Sequence, residues 1–476
     1  MLSRIYLVIF LSLLFPYLKG QNITIRGKAH ESHIGKVIRV YTYDDFVTKQ
    51  LRQENTDTIN KDGFFELNFY SKITQPAIVY IDNYYGKMHV RPDYVYGILF
   101  PEISEEFKQY KTSEYPVSLG FIGRDTTELN MLVLDYDSIY NARFLPKNNE
   151  FLTHNKLFAK ADSLKVFCDN RYEKIKDDYF INYYNYSIAA LNVNLSRGEK
   201  FLIKNFLYDK PILYKNFEYM SFFHTCFNNY LQNLASSHKG TTLYHIINKK
   251  MSLSDLNDFC ISDPLLKNDS LRELVIISNL WQFYFNPEFS QEGVVTILSK
   301  INTDTKNESH KIITDHMLKK IYNLHSGVAA PMFMAKNKLG TVENMSKLKG
   351  KWIYLNFFST KNNESMREMA KLASLVKTYG SKLLFISICV DNTYEEYINY
   401  LKENPKYQWA IWYDNVEGLK QSGEDLYNII NGEGYFLIDN FGTLSLSPAD
   451  APSKGIQYRF DAIFKPTRKT RVIGIR

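Results

Sequence analysis

From Asn22 to about Gly120 the apolar positions come in short alternating runs: Val37 to Tyr43, Phe64 to Phe69, Ala77 to Ile81 and Val95 to Phe100. A period of two sets one face of a strand against a core and leaves the other in solvent. The intervening turn signals, Lys61-Asp62-Gly63 and Asn83-Tyr84-Tyr85-Gly86, predict hairpins. This region therefore reads as an N-terminal antiparallel β-sandwich. From Asp125 the period becomes helical. Asp125-Thr126-Thr127-Glu128 caps a helix running towards Tyr140, and amphipathic segments follow at Asn155 to Arg171, Glu199 to Leu207, Tyr219 to Leu234, Leu271 to Tyr284 and His310 to Leu324. Pro146, Pro211, Pro264 and Pro287 punctuate a central all-α region with no solenoid period. Its Tyr-rich stretch, Tyr179 to Tyr186, suits core packing better than a binding groove.

From about Gly327 strands and helices alternate. Trp352 to Phe358 reads as a strand. Ser365 to Tyr379 follows as a helix with Met366, Met369, Leu372, Ala373 and Val376 on one face, ended by Gly380. Leu383 to Val390 is the next strand, and Thr393-Tyr394-Glu395-Glu396 resembles a capping box opening a helix to Glu403. A strand at Trp409 to Tyr413, a helix near Leu419 to Ile430, a hairpin around Asn440-Phe441-Gly442 and a helix at Gly455 to Phe464 complete the pattern. A βαβ unit followed by a hairpin and helix predicts a C-terminal α/β thioredoxin-like fold.

Several separated segments then agree in order. Ala330-Pro331-Met332-Phe333, Gly340-Thr341-Val342 and Leu348 to Phe358 resemble the entry to the TlpA-like and peroxiredoxin-like branch of the thioredoxin superfamily. Phe436-Leu437-Ile438-Asp439-Asn440-Phe441-Gly442 is similar to that branch's second hairpin. The resemblance covers about the last 150 residues. More broadly, the architecture resembles exported multidomain thioredoxin-like proteins of the Bacteroidota envelope.

The resemblance implies a Cys-x-x-Cys motif opening the first helix, where the helix N-terminus stabilises a thiolate. On this chain its positions fall on Asn362, Asn363, Glu364 and Ser365. An amide is no nucleophile, and none of these four forms a disulfide. The family's cis-proline falls on Glu433, where a cis bond costs roughly 3 kcal/mol more than trans. Loss of both elements implies a redox-inactive domain. Asn362 to Ser365 could still hold a polar ligand at the helix N-terminus, while Ser365 reads more simply as a cap or first-turn residue.

Composition narrows the remaining classes. The chain has 476 residues, 45% hydrophobic and 23% charged, which predicts several globular domains without long disorder. Its 36 Tyr and 32 Phe would suit aromatic interfaces, but a coding bias that also favours Asn, Lys and Ile is the preferred reading. Arg4, the apolar run Ile5 to Phe15 and the break at Pro16 to Gly20 read as a signal peptide cleaved after Gly20. No later stretch reaches about 18 apolar residues, so no transmembrane segment is expected in the mature chain. Without Arg4 and Lys19 the formal charge falls from +7 to +5, too little for nucleic acid. The basic tail, Lys465, Arg468, Lys469, Arg471 and Arg476, reads as a solvated segment.

The expected boundaries are 1–20 signal peptide, 21–122 β-sandwich, 123–326 helical domain and 327–476 degenerate thioredoxin-like domain. Cys168, Cys226, Cys260 and Cys389 lack CxxC spacing. A disulfide among the first three stays open, and Cys389 reads as core. His30-Glu31-Ser32-His33 offers two metal ligands without a third and reads as a surface loop, while His310 and His316 are six apart, off the spacing that shares a helix face. No metal or cofactor is expected, and no nucleotide-binding or hydrolase motif occurs. Two function classes remain. One is an exported binding or scaffold protein in the periplasm or at the cell surface, with other envelope proteins as partners. The other is a thiol-disulfide oxidoreductase or peroxidase using displaced cysteines.

Overall fold

A computed structural model describes residues 22–82, 84–102, 115–123, 125–144, 154–195, 198–238, 241–286, 288–391, 393–414, 422–429 and 432–465. The signal-peptide stretch, Pro146, Pro287 and the basic tail beyond Lys465 lie outside the described residues. The chain divides into two compact units. Unit 1 comprises Met1–Glu102, Pro116–Asn228 and Asp263–Arg272; unit 2 comprises Ile103–Tyr115, Asn229–Ser262 and Glu273–Arg476.

Unit 1 opens with β1 (Ile23–Ala29), β2 (Val37–Tyr43), β3 (Leu51–Thr58), β4 (Phe64–Phe69), β5 (Gln75–Ile81), β6 (Tyr84–Val90), β7 (Tyr94–Phe100), β8 (Tyr115–Pro116, from Pro116 onward in this unit) and β9 (Gly120–Phe121). They form a four-stranded sheet in the order β4-β1-β7-β9 and a five-stranded sheet in the order β3-β2-β5-β6-β8. Alternate residues of both sheets, among them Ile23, Ile25, Ile38, Val40, Val79 and Ile98, meet in one apolar core. The strands at β2, β4, β5 and β7 follow the alternation read from the sequence.

Three expectations need correction. The pairing is not wholly antiparallel, because β1 runs parallel to β7 from Ile23↔Tyr94 to Ala29↔Phe100. Tyr84, Tyr85 and Gly86 belong to β6 rather than to a turn, and Asp82 before them takes the positive φ of 52°. His33 is not on a surface loop: it is fully buried, and its Nε2–H donates to the Pro101 carbonyl at 3.0 Å. Burial pushes the His33 pKa down, as desolvation of a cation must.

The helices of unit 1 are α1 (Leu129–Phe144), α2 (His154–Arg171), α3 (Asp178–Asn194), α4 (Glu199–Phe206) and α5 (Phe217–Phe227). The Tyr-rich stretch is α3, and Phe180, Tyr183, Tyr184 and Tyr186 are buried. The span Tyr219 to Leu234 is two helices rather than one. It breaks at Asn228 and Asn229, the latter at φ 52°, a conformation asparagine tolerates better than most residues.

Unit 2 contains α6 (Tyr230–His238), α7 (Thr242–His245), α8 (Leu253–Ile261), α9 (Asp269–Tyr284, from Glu273 onward in this unit), α10 (Gln291–Asp304) and α11 (Glu308–Asn323). His310 is buried on α11 and its Nδ1 lies 2.6 Å from Glu273 Oε1, a pin between helices. The sheet that follows consists of β10 (Met334–Lys336), β11 (Val342–Asn344), β12 (Ile353–Phe358), β13 (Leu384–Cys389), β14 (Ala410–Tyr413), β15 (Gly434–Ile438) and β16 (Leu444–Leu446). Its order is β11-β10-β14-β13-β12-β15-β16. Helices α12 (Asn363–Tyr379), α13 (Tyr394–Glu403), α14 (Gly423–Leu426) and α15 (Ile456–Phe464) accompany it.

Central strand β12 pairs parallel with β13 and antiparallel with β15. It is buried along its whole length, the signature of a strand covered on both faces. Tyr354 and Phe358 enter one apolar cluster with α12 and α15, while Ile353, Leu355 and Phe357 enter a second with Phe333 and Tyr427. The capping box is present: Glu396 N–H donates to Thr393 Oγ1, and Thr393 N–H to the Glu396 carboxylate. The helix expected at Leu419 to Ile430 is assigned only over α14; residues 415–421 and 430–431 lie outside the described residues.

Candidate functional site

The loop from β12 into α12 holds four of the five candidate positions. Asn362 is the N-cap of α12, its Oδ1 accepting from the N–H groups of Glu364 at 2.9 Å and Ser365 at 3.2 Å. That satisfies two donors every helix start leaves open. Asn363 and Glu364 are exposed in the first turn. Ser365 is not an exposed cap residue: it is 1% exposed, and its Oγ has no hydrogen-bond partner among the described residues.

The fifth position, Glu433, lies in the bend before β15. Gly432 takes φ 70°, and a Cβ there would sit 2.9 Å from Ser359 Cβ and 3.4 Å from Val390 Cγ2. Only glycine permits this close approach in that conformation. The bend therefore packs on the end of β12, and Glu364 and Glu368 are the like charges that bear electrostatically on the Glu433 carboxyl. Burial first, and then those two like charges, push its pKa up, while a hydrogen bond from Tyr435 Oη at 2.8 Å opposes the shift. Asn362, Asn363, Glu364 and Ser365 share one helix start, and the bend that carries Glu433 packs against Ser359 in the loop leading into it. The cis peptide among the described residues is Ser447-Pro448, beyond the hairpin.

Sequence reasoning missed the groups beneath this loop. Asp391, 3% exposed at the end of β13, accepts from Ser359 Oγ at 2.7 Å, Thr360 N–H at 2.9 Å and Thr360 Oγ1 at 2.5 Å. It holds the loop from a position thirty residues away in sequence. Glu368 is also buried, accepting from Ser453 N–H at 2.8 Å and from Lys371 Nζ at 3.2 Å. Deeper still, Trp409 Nε1 donates to Ser387 Oγ at 2.8 Å, which donates to Asn356 Oδ1 at 2.6 Å. A charged residue on the apolar face of α12, three residues after Ser365, was the one visible signal for Glu368.

No thiol reaches the loop surface. Cys389 is fully buried with Sγ 3.4 Å from Asp391 Oδ2, and burial followed by that carboxylate pushes its pKa well above the usual thiol range. A reactive cysteine needs the opposite surroundings, electropositive and partly exposed. Cys168, Cys226 and Cys260 are buried thiols as well. Among the described residues no group of three His, Cys, Asp or Glu side chains is arranged to hold a metal ion. No described helix is long and apolar enough to cross a membrane. What the loop offers chemically is a set of satisfied caps, two acidic side chains and one unpaired hydroxyl.

No family model matches this sequence, and no curated protein matches it. Among solved structures, a thioredoxin-like protein from Bacteroides caccae is 14% identical, over 50% of this chain and 92% of its own, at a TM-score of 0.32. A thiol:disulfide interchange protein from a Bacteroides species is 17% identical over 31% of this chain and 95% of its own, at 0.26. The thioredoxin domain of a thiol-disulfide oxidoreductase from Bacteroides vulgatus is 15% identical over 29% of this chain and 99% of its own, at 0.26.

Proposed function

We propose that this chain is an exported, redox-inactive thioredoxin-like protein, a binding or scaffold component of a cell-envelope complex. In this reading residues 21–122 form a β-sandwich, 123–326 a helical domain and 327–476 a degenerate thioredoxin-like domain. The flanking of β12 by parallel β13 and antiparallel β15, with α12 between β12 and β13, supports the last assignment. One observation carries the functional reading. The loop that would present a nucleophile is instead capped by Asn362 and held from below by buried Asp391, so its polar groups maintain shape rather than reactivity. A domain that keeps its sheet and helices without a reactive group retains surfaces as its usable property.

The alternative is thiol-disulfide exchange or peroxide reduction by displaced cysteines. Cys389 is its candidate, because Asp391 contacts both that thiol and the loop. The same contact, together with burial, disfavours the thiolate that such chemistry needs.

Gentle affinity purification of the native protein from its own cells tests the scaffold reading. The expected result is stable, reproducible co-purification of other envelope proteins. Repeated recovery of a lone monomer under low-salt conditions overturns it.

A further inference from the structure

The end of the unit 2 sheet where β12 begins, opposite the candidate loop, combines exposed cations with a protruding aromatic ring. Phe441 sits in the turn between β15 and β16 and is 80% exposed. Gly350 N–H donates to the Asn440 carbonyl of that turn at 2.9 Å, which joins Lys349 and Lys351 to it. A Cβ added at Gly442 would lie 3.9 Å from both Cγ and Cε of Lys349, so the stem of this lysine runs along the turn. On the other side of β12, Leu384 N–H donates to the Trp352 carbonyl at 2.9 Å and brings Lys382 to the same end. The Phe464 carbonyl holds Lys382 Nζ there at 3.0 Å. Neighbouring strands lie about 4.8 Å apart, so β15, β12 and β13 spread this row over roughly 10 Å.

The charges of the row do not balance. Lys349, Lys351 and Lys382 are exposed and make no ion pair among the described residues. Lys465, beside Phe464, is already paired with Asp461 at 2.7 Å. The acid of the turn, Asp439, is half-buried and accepts from the N–H groups of Phe441 and Thr443, each at 2.9 Å. One carboxylate against three ammonium groups leaves the face net positive.

The make-up of the patch separates a lipid surface from an acidic protein. A protein interface closes around an apolar centre from which lysine is depleted. Here an exposed ring is flanked by Asn440, Gly442 and the stem of Lys349. At a bilayer the same arrangement is favourable, because the ring enters the boundary between headgroups and acyl chains. The lysine stems lie along that apolar material and keep their ammonium groups in the headgroup layer. Anionic headgroups then supply the charge that the patch lacks.

We propose that Phe441, Lys349, Lys351 and Lys382 form a peripheral docking face for an anionic lipid bilayer. The scaffold reading concerns protein partners, and the two stand or fall separately.

Flotation of the purified full chain with vesicles tests this. The chain should float with vesicles of equimolar phosphatidylglycerol and phosphatidylcholine, remain behind with pure phosphatidylcholine, and be released by added salt. Lys349→Gln combined with Lys351→Gln should weaken partitioning about thirtyfold, about fivefold for each lysine lost at an anionic surface. Phe441→Ser should weaken it about tenfold, the share of one apolar ring. Lys61→Gln combined with Lys72→Gln, the same charge change at exposed sites of unit 1, should leave it unaltered. Arg468, Lys469 and Arg471 follow in sequence and form no part of the proposed face, so the two effects should persist when all three are replaced by glutamine. Failure to float with the anionic vesicles overturns the proposal, as does equal flotation with neutral ones. Unchanged binding by Phe441→Ser or by the Lys349 and Lys351 pair overturns it too, as does an equal loss in the Lys61 and Lys72 pair. Capture of an acidic envelope protein that the same variants abolish, without vesicle binding, assigns the face to a protein and overturns the lipid proposal.

Discussion

Replacing Asp391 with alanine lowers the stability of unit 2 by about 3 kcal/mol, the cost of stranding several partly buried donors at once. The carboxylate serves Ser359 Oγ, the Thr360 N–H and Thr360 Oγ1, and Cys389 Sγ lies 3.4 Å away. Alanine leaves each without its acceptor in a site where Asp391 is 3% exposed, so water replaces it poorly. Asn retains one acceptor oxygen, and Thr360 Oγ1 can reverse its role towards the new amide. Asp391→Asn should therefore cost about 1 kcal/mol. All four tryptophans, Trp281, Trp352, Trp409 and Trp412, lie in unit 2, so their fluorescence in a urea titration reports this unit directly. A midpoint for Asp391→Ala equal to that of the natural protein contradicts the account of the loop.

The second large effect concerns unit 1 and pH. Tyr183 Oη donates to Asp137 Oδ1 at 3.2 Å across α3 and α1. Burial raises the Asp137 carboxyl to about 6, and burial together with the Asp137 charge raises Glu218 on α5 to about 7. Carboxyls with folded pKa values above their unfolded ones bind more protons in the native state, so they lose stability as pH rises. The window runs from about 4.5, the unfolded glutamate value, to about 7. Other groups act in the opposite direction or titrate elsewhere. His89, wholly buried and lowered to about 4, gains stability for the fold as pH rises from 4 towards 6.5, with Asp177 partly opposing its shift. Tyr136, Tyr140, Tyr179 and Tyr183 around the pair are all raised, and they stay neutral across this window.

Comparing variants cancels the histidine. Glu218→Gln should match the natural protein near pH 4.5 and become more stable than it by on the order of 2–3 kcal/mol at pH 8. Hydrogen exchange of α1 and α5 peptides, corrected for intrinsic rate, measures the difference. Protection that stays parallel in the two proteins across this range contradicts the assignment.

Local pattern made much of this structure legible, and non-local packing explains the rest. β12, α12, β13 and the Thr393 capping box follow from period and cap chemistry within short windows. β3 escaped because its sequence, Leu51 to Thr58, is nearly all polar, as suits an edge strand paired on one side only by β2. The parallel pairing of β1 with β7 joins segments some seventy residues apart, which no alternation can reveal. At the site, the positions of Asn362 and Ser365 were readable from the strand-to-helix junction. The role of Asp391 was not, because its partners Ser359 and Thr360 come near only when β12 and β13 pair. The burial of Ser365 was likewise hidden, because exposure at a helix start depends on tertiary packing that no local window shows.

The central claim is that the domain keeps a thioredoxin-like framework without thiol chemistry. Insulin reduction by the purified full-length chain, with dithiothreitol as electron donor, tests it most directly. The expected rate equals the uncatalysed background, and Cys389→Ser leaves it unchanged. Turnover above background that Cys389→Ser abolishes would contradict the claim and establish a displaced-cysteine enzyme instead.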